Sequence, residues 1–287
     1  MNSKAGTLYV VATPIGNLQD VSARALDVLS SVDLILAEDT RHAKVLLDHY
    51  GIGTSTRSLH EHNERNQIDH ILQTIADGAD VAIISDAGTP LISDPGFPVV
   101  RAGRRAGVSI LPVPGPVAAI AAISVSGIAT DRFCFEGFLP QKSAARRQAL
   151  EKLMAETRTM VFYESARRLC PMLTTISEVF GSDRICCVCR EMTKRFETHY
   201  FGPVAEVCKS LSENPDSLKG ECVVVIAGSQ NITTDLATQQ HTMRVLMQEM
   251  SLKQASSVGA RLLAVNKNAL YQIGLELRDS VTESEKT

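Results

Sequence analysis

The chain contains no tryptophan, and aromatic residues make up only 5% of its 287 positions. A protein that holds single strands on an extended stacking platform needs more rings than that. Any RNA it meets must be read through shape, phosphates and a few splayed bases. Long apolar runs are missing as well: no stretch of about 18 such residues occurs, which removes a membrane-spanning helix. Residues 1–6 are short and polar with no apolar signal region, so a cytoplasmic location and no membrane partner are expected. Paired C-x-x-C spacing, as a zinc site of two such motifs would need, is absent. The seven cysteines are odd in number, and Cys186, Cys187 and Cys189 crowd one apolar run. They read as small hydrophobes of a buried strand in a reducing compartment, not as a zinc site or a disulfide framework. No G-x-G-x-x-G follows the first apolar run and no G-x-x-x-x-G-K-[ST] is present, which excludes a Rossmann dinucleotide site and a P-loop. Nor is there an excess of positive charge. The net charge of −3 argues against a protein that coats nucleic acid indiscriminately.

What the chain does have is 44% hydrophobic residues, enough for two cores. In residues 1–116, apolar runs at 8–13, 34–37, 81–85 and 108–113, with a weaker one at 56–59, alternate with helical patterns at 21–31, 43–50, 64–77 and 96–106. That rhythm predicts an α/β domain with a mainly parallel sheet covered on both faces. Asp94 reads as the cap of the 96–106 helix, with Pro95 in its first turn. A second α/β domain is expected over 117–229: an alanine-rich helix at 118–126, strands at 133–138, 159–163, 184–190 and 221–227, and helices at 144–156, 168–180 and 204–211. After a polar linker at 229–234, residues 235–279 read as a small helix-turn-helix appendage with helices at 243–250, 252–263 and 268–277, and 280–287 as a frayed tail. Charge is uneven. Residues 131–200 carry 12 basic and 9 acidic groups, whereas 1–130 carry 9 and 13.

In open parallel sheets ligands bind beyond the carboxyl ends of the strands. The loops at those ends are rich in Gly, Pro or charge: Ala12-Thr-Pro-Ile-Gly-Asn17, Ala37-Glu-Asp-Thr-Arg-His42, Leu59-His-Glu-His-Asn-Glu64, Ser85-Asp-Ala-Gly-Thr-Pro and onward to Gly96, and Pro112-Val-Pro-Gly-Pro116. The opposite connections are bland. Ala87 and Gly88 allow backbone groups to approach a ligand closely, the prolines hold a fixed shape, and Ala118 with its alanine neighbours leaves room. Such a pre-shaped, backbone-lined pocket suits an adenosine-plus-amino-acid ligand better than a triphosphate.

The ordered motifs A-T-P-I-G-N, E-D-T-R, H-E-H-N-E, S-D-A-G-T-P-L-I-S-D-P-G, P-G-P-x-A-A, F-Y-E-S and K-G-E resemble the ribosomal RNA small subunit methyltransferase I family of the tetrapyrrole methylase superfamily. The resemblance covers residues 7–228, with the helical tail also similar. It implies two α/β domains with S-adenosyl-L-methionine folded into the cleft between them, usually in a homodimer. It also implies 2′-O-methylation of a cytidine in the decoding region of 16S RNA, with the assembled 30S particle as partner and no DNA. Carried over by position, Pro14 lies in the superfamily's first turn, and Gly88 with Thr89 in the cofactor-contacting turn beside Asp86 and Ala87. Pro116, Val117 and Ala118 stand at its small-residue pair, and Tyr163, Glu164, Glu221 and Cys222 where the second domain closes over the cofactor. Tetrapyrrole enzymes carry G-x-G-P-G-D and G-D-P where this chain has A-T-P-I-G-N and G-T-P, a departure that favours the RNA branch.

Methyl transfer from a sulfonium is an in-line displacement in which alignment supplies much of the rate. A hydroxyl acceptor adds the need for a general base. The candidates are Glu164 and Asp86, each after an expected strand. For Asp86 the alternative is a turn aspartate bonded to its own backbone; for Glu164 it is a cofactor or inter-domain hydrogen bond. His60 and His62 form an H-x-H pair beside Glu61 and Glu64, but with no third ligand motif they read as RNA or structural hydrogen-bonding groups, together with Asn63, and no metal is expected. Glu38, Asp39 and Arg41 form either a rim network with an RNA contact at Arg41 or a helix-capping acidic cluster. Arg190 and Lys194 are candidates for phosphate contact, with ion pairs to Glu191 or Glu197 as the alternative.

Overall fold

A computed structural model describes residues 5–214, 219–229, 236–263 and 265–284; the expected linker falls largely outside them. The first sheet comprises β1 (Thr7–Val11), β2 (Leu34–Ala37), β3 (Thr56–Ser58), β4 (Val81–Ile84) and β5 (Ser109–Val113), interleaved with α1 (Ala23–Ser31), α2 (Thr40–His49), α3 (Glu64–Ala76) and α4 (Phe97–Arg105). Its order is β3-β2-β4-β1-β5 and every pair is parallel. Period-2 alternation explains the near-continuous apolar strands. Ala82 and Ile84 of β4 pack with Leu29 of α1 and Leu47 of α2, while Val81 and Ile83 pack on the other face with Ile71, Ile75 and Val99 of α3 and α4.

The second sheet departs from the parallel rhythm of the first. It contains β6 (Phe133–Phe138), β7 (Thr159–Ser165), β8 (Ile185–Arg190), β9 (Thr198–Pro203) and β10 (Glu221–Ile226), in the order β6-β7-β10-β8-β9. Only β6 and β7 run parallel; β7, β10, β8 and β9 are antiparallel in turn. Strand β9 was not anticipated: its six residues follow β8 after a loop at residues 191–197, and its period-2 pattern is short and broken by Gly202 and Pro203. One face carries α6 (Ser143–Lys152), α7 (Ala166–Phe180) and α8 (Val204–Ser212) over Phe162, Val188 and Val224. Among the described residues the other face carries α5 alone (Ala118–Val125), whose Ala119 and Ala122 are small enough to sit against Val161, Cys189 and Val223.

Three helices, α9 (Leu236–Glu249), α10 (Leu252–Leu263) and α11 (Lys267–Ser284), enclose a separate core of Met243, Ala255, Leu270 and Ile273. The last of them continues through residues 280–284, where the sequence led us to expect fraying.

Candidate active site

The carboxyl ends of β1, β2 and β4 lie side by side, and their loops are tied to one another. Thr13 donates its N–H to the Gly88 carbonyl at 2.8 Å, and Gly88 donates to the Thr13 carbonyl at 3.1 Å. Gly88 holds φ = +82°, a left-handed conformation that favours glycine. Thr89 Oγ1 donates to the Pro116 carbonyl at 3.1 Å, which joins the β4 loop to the start of α5. Facing these turns are the end of β7, the β8–β9 turn and the start of β10. Between the two sets lies a cavity of about 360 Å³. The seam at its edge is close: Asn17 N–H donates to Thr193 Oγ1 at 3.1 Å, and a Cβ on Gly16 would stand 2.5 Å from Lys194 Cγ.

Charge in this cavity is one-sided. Glu38, Asp86, Asp94, Glu164, Glu191 and Glu221 line it against a single cation, Lys194. Most of these carboxylates are fixed from behind. Asp86 Oδ1 accepts the Asp39 N–H at 3.1 Å, and the Glu38 carboxylate accepts the Asp86 N–H in return. Burial, then the neighbouring Asp86 charge, raises the Glu38 carboxyl above its ordinary value. Lys194 Nζ donates to Glu191 Oε1 at 2.8 Å and Glu221 Oε2 at 2.9 Å. Burial opposes the ammonium there, but the two carboxylates outweigh it and hold the lysine above its usual range.

Glu164 is 2% exposed, and its Oε1 accepts the Ser165 N–H at 2.8 Å. Its Oε2 lies 3.0 Å from Arg168 Nη2, but that nitrogen donates to the Leu139 carbonyl, so Oε2 is buried in the cavity wall with no hydrogen bond. The Arg168 guanidinium supplies the counter-charge that a buried carboxylate requires. The Tyr163 hydroxyl accepts the Ala119 N–H at 3.2 Å. Burial pushes the Cys222 thiol up to about 12, so it lines the wall as a neutral thiol and not as a nucleophile.

Of the residues expected from sequence, Asp86, Ala87, Gly88, Thr89, Val117, Ala118, Tyr163, Glu164, Glu221 and Cys222 all line this one cavity. Pro14 and Pro116 stand one residue behind the wall that Ile15 and Val117 form. Lys194, a candidate for phosphate contact with an ion pair to Glu191 or Glu197 as the alternative, lines the cavity and makes the Glu191 pair. Arg190 is only 9% exposed and donates to the carbonyls of Lys219 and Phe196, so it braces the hairpin base rather than presenting a phosphate clamp. Asn63 is turned inward, its oxygen on the His60 N–H and its amide on the Ser58 carbonyl. His60 is half-buried against His62. Arg41 remains on the surface, paired with Asp39, which also caps α2.

Asp94 is not a helix cap. The N-cap of α4 is Gly96 at φ = +111°, Pro98 and not Pro95 falls in the first turn, and the Gly96 N–H donates to Glu64 Oε2 at 2.7 Å. Asp94 faces the cavity, with its carboxyl raised to about 6 by burial and then by the charges of Glu38 and Asp86, against the Ser85 hydroxyl, which lowers it.

Sequence reasoning also missed Ile15, Ile92, Phe138 and Met192, apolar residues that line the cavity and leave no polar signature. Backbone geometry marks two of the loops independently. Among the described residues, the non-glycine positions with positive φ are Leu91, Ser93, Glu191 and Thr193, all in the two turns that face each other across the cavity. Such strain gathers where a site is held in shape by its surroundings.

Comparison with known proteins is consistent with this geometry. Residues 7–208 match the family model described as Tetrapyrrole (Corrin/Porphyrin) Methylases, and residues 233–278 match that of the RsmI C-terminal HTH domain. The chain is 48% identical to the ribosomal RNA small subunit methyltransferase I of Pasteurella multocida over 96% of its own length and 99% of the relative's. It is 46% identical to the protein of that name from Escherichia coli O157:H7, covering 96% of each. Among solved structures it is similar to uroporphyrin-III C-methyl transferase from Thermus thermophilus complexed with S-adenyl homocysteine, with a TM-score of 0.55 at 14% identity over 77% of this chain and 97% of that one.

Proposed function

Since this chain belongs to the tetrapyrrole methylase superfamily and, within it, to the ribosomal RNA small subunit methyltransferase I family, we propose that it methylates the ribose 2′-hydroxyl of a cytidine in the decoding region of small-subunit ribosomal RNA, with S-adenosylmethionine as donor. The observation that carries the donor assignment is the charge of the cavity. Of six carboxylates two hold Lys194 and one is paired with Arg168, which leaves the wall net negative; it repels phosphates and favours a cation such as a sulfonium bearing an ammonium group. The volume of about 360 Å³ falls in the range of small-molecule sites.

The donor would be held by the 86–89 turn, Val117 and Ala118 from one side, and by Tyr163, Glu164, Glu221 and Cys222 from the other; bound there, it supplies an activated methyl group. The protein's own contribution is alignment. The Thr13–Gly88 pairing, the Thr89–Pro116 bond and the Lys194 bridge fix the walls before any ligand arrives. For the RNA, exposed Arg41 and the tip of the β8–β9 turn, where the Arg195 guanidinium lies 5.5 Å from the Phe196 ring, offer charge and a stacking surface beside the mouth. Leu59 donates its N–H to the Ala37 carbonyl at 2.8 Å, which sets the neighbouring His60 beside the Glu38 loop, and we assign it to the same RNA-facing rim. The helical appendage supplies a second grip on the assembled 30S particle. Exposed Phe201, whose ring packs near Gly127, and exposed Val125 two residues before that glycine offer an apolar face for a homodimer.

Incubation with labelled S-adenosylmethionine and undermethylated small subunits should place label on one cytidine of the decoding region, at a position resistant to alkaline cleavage. Label on a base or on a ribosomal protein defeats the reading.

A further inference from the structure

We propose that the ring of Phe138 is the seat on which the base of the acceptor nucleotide stacks; the inference rests on the ribose-methylation reading and names how the acceptor is held within it. A ribose hydroxyl inside a stacked strand cannot reach a methyl group in a cavity between two walls, so the nucleotide must swing out of its stack. Its base then loses its neighbours, and a site that keeps it out has to return part of that contact. Charged groups of the lining do not offer it: they are six carboxylates and a lysine already bonded to two of them. Among the described lining residues two carry aromatic rings, Tyr163 and Phe138. Tyr163 is occupied. Its hydroxyl accepts the Ala119 N–H, and Phe135 and Phe138 pack on it edge to face, with ring centroids 4.8 and 5.7 Å away. Phe138 is 57% exposed.

Phe138 reaches the cavity because β6 is bulged. Successive side chains of a regular strand alternate, which would send Phe135 and Phe138 to opposite faces. Along the β6–β7 ladder, however, Phe135 pairs with Val161 and Gly137 with the next residue, Phe162, so Glu136 is an insertion, and Gly137 takes φ = +67°. The extra residue resets the alternation, and both rings meet Tyr163. Bulges recur beside active sites, where they re-aim a side chain. The segment that follows is braced: the Leu139 carbonyl accepts Arg168 Nη2 at 2.6 Å and the Gln141 carbonyl accepts Arg146 Nη1 at 3.4 Å. The ring is thus mounted on a fixed frame with much of its surface open, an arrangement that serves a ligand better than a core. The facing wall comes close here, since a Cβ on Gly137 would stand 3.5 Å from Ser93 Oγ. Beside Ser93 lies Ile92, 41% exposed and set between left-handed Leu91 and Ser93. Phe138 and Ile92 are the large apolar side chains that the lining leaves exposed, one from each wall. A planar base entering at this mouth meets a ring from one wall and an aliphatic side chain from the other.

The test uses the full-length protein and undermethylated small subunits. For Phe138→Ala, kcat should fall about tenfold to a hundredfold, the factor carried by one base–aromatic stack. KM for the subunit and affinity for S-adenosylhomocysteine should stay within about threefold, because extrusion follows binding and other residues hold the donor. Phe138→Leu, apolar but without a ring face, should lose nearly as much as Phe138→Ala. Phe138→Tyr, which keeps the ring, should hold kcat within about threefold of the parent. Because the side chain is exposed, the urea midpoint should barely move in any of the three. A second readout needs no turnover. With p-benzoylphenylalanine in place of Phe138, irradiation alongside subunits and S-adenosylhomocysteine should cross-link the protein to the nucleotide that the parent methylates, read as a stop in reverse transcription.

Full kcat in Phe138→Leu, or a Phe138→Tyr protein as slow as Phe138→Ala, overturns the inference, since the ring face would then be irrelevant. A loss of S-adenosylhomocysteine affinity as large as the loss of kcat overturns it as well and makes Phe138 a cover for the donor. So does a cross-link confined to other nucleotides or to protein, or none from a variant that still binds the subunit. If the parent places its label on a base, the ribose reading fails, but the cross-link does not depend on which atom is methylated, so the two failures are told apart.

Discussion

Glu64 illustrates how a side chain can look functional and be structural. In sequence it sits in an H-E-H-N-E cluster that invites thoughts of metal; in the fold it is 8% exposed and its carboxylate caps the amino end of α4 through the Gly96 N–H. Gly96 has no side chain with which to cap its own helix, so the donor would be orphaned without Glu64. Glu64→Ala should therefore cost about 1–3 kcal/mol, read as a lower urea midpoint, whereas Glu64→Gln, which keeps an acceptor, should recover most of it. Equal loss in both variants would assign the cost to charge or packing and not to the cap. Asp94, two residues upstream of the glycine, is the converse: a residue that looks like a cap and faces the cavity instead.

At the scale of elements, the first sheet was legible almost strand for strand, because a buried parallel sheet writes itself as short apolar runs between amphipathic helices. The second sheet was legible as strands but not as topology. Its antiparallel pairs join through a hairpin whose left-handed Glu191 and Thr193 carry no glycine to announce the turn, and β9 went unseen behind it. The same hairpin explains why Lys194 was only partly legible. The pair with Glu191 was legible as an alternative because the two lie in one turn, but Glu221 is distant in sequence and only the β8–β10 pairing brings it to Lys194. The glycine and proline turns were legible as a group because close backbone approach demands them. Gly16 is the sharpest case: a Cβ there would meet Lys194 Cγ at 2.5 Å and Thr193 Oγ1 at 2.8 Å. Gly16→Ala should push the hairpin away from the β1 loop and weaken S-adenosylhomocysteine binding on the order of tenfold, measured by calorimetry, with little change in the far-UV spectrum. Unchanged affinity would mean that the seam is free to shift.

Over the whole molecule, the cavity and the helical appendage are built from different stretches of chain. Every lining residue falls between Ile15 and Val223, whereas α9, α10 and α11 close on a core of their own in which Gly259 and Gly274 admit Leu270 and Leu252. Donor binding and grip on the large substrate should then be separable. A chain ended after residue 229 is expected to bind S-adenosylhomocysteine within about twofold of the full-length protein, as distant sites with no shared partners contribute independently. Its activity on small subunits should fall on the order of a hundredfold, because one of two linked contacts with the particle has been removed and the effective concentration it provided is lost. The loss should sit in KM and not in kcat, since the cavity that aligns donor and acceptor remains. A truncated protein whose donor affinity collapses would show instead that the three helices are needed to hold the cleft together, and their own core would then be a matter of local packing and not of independence.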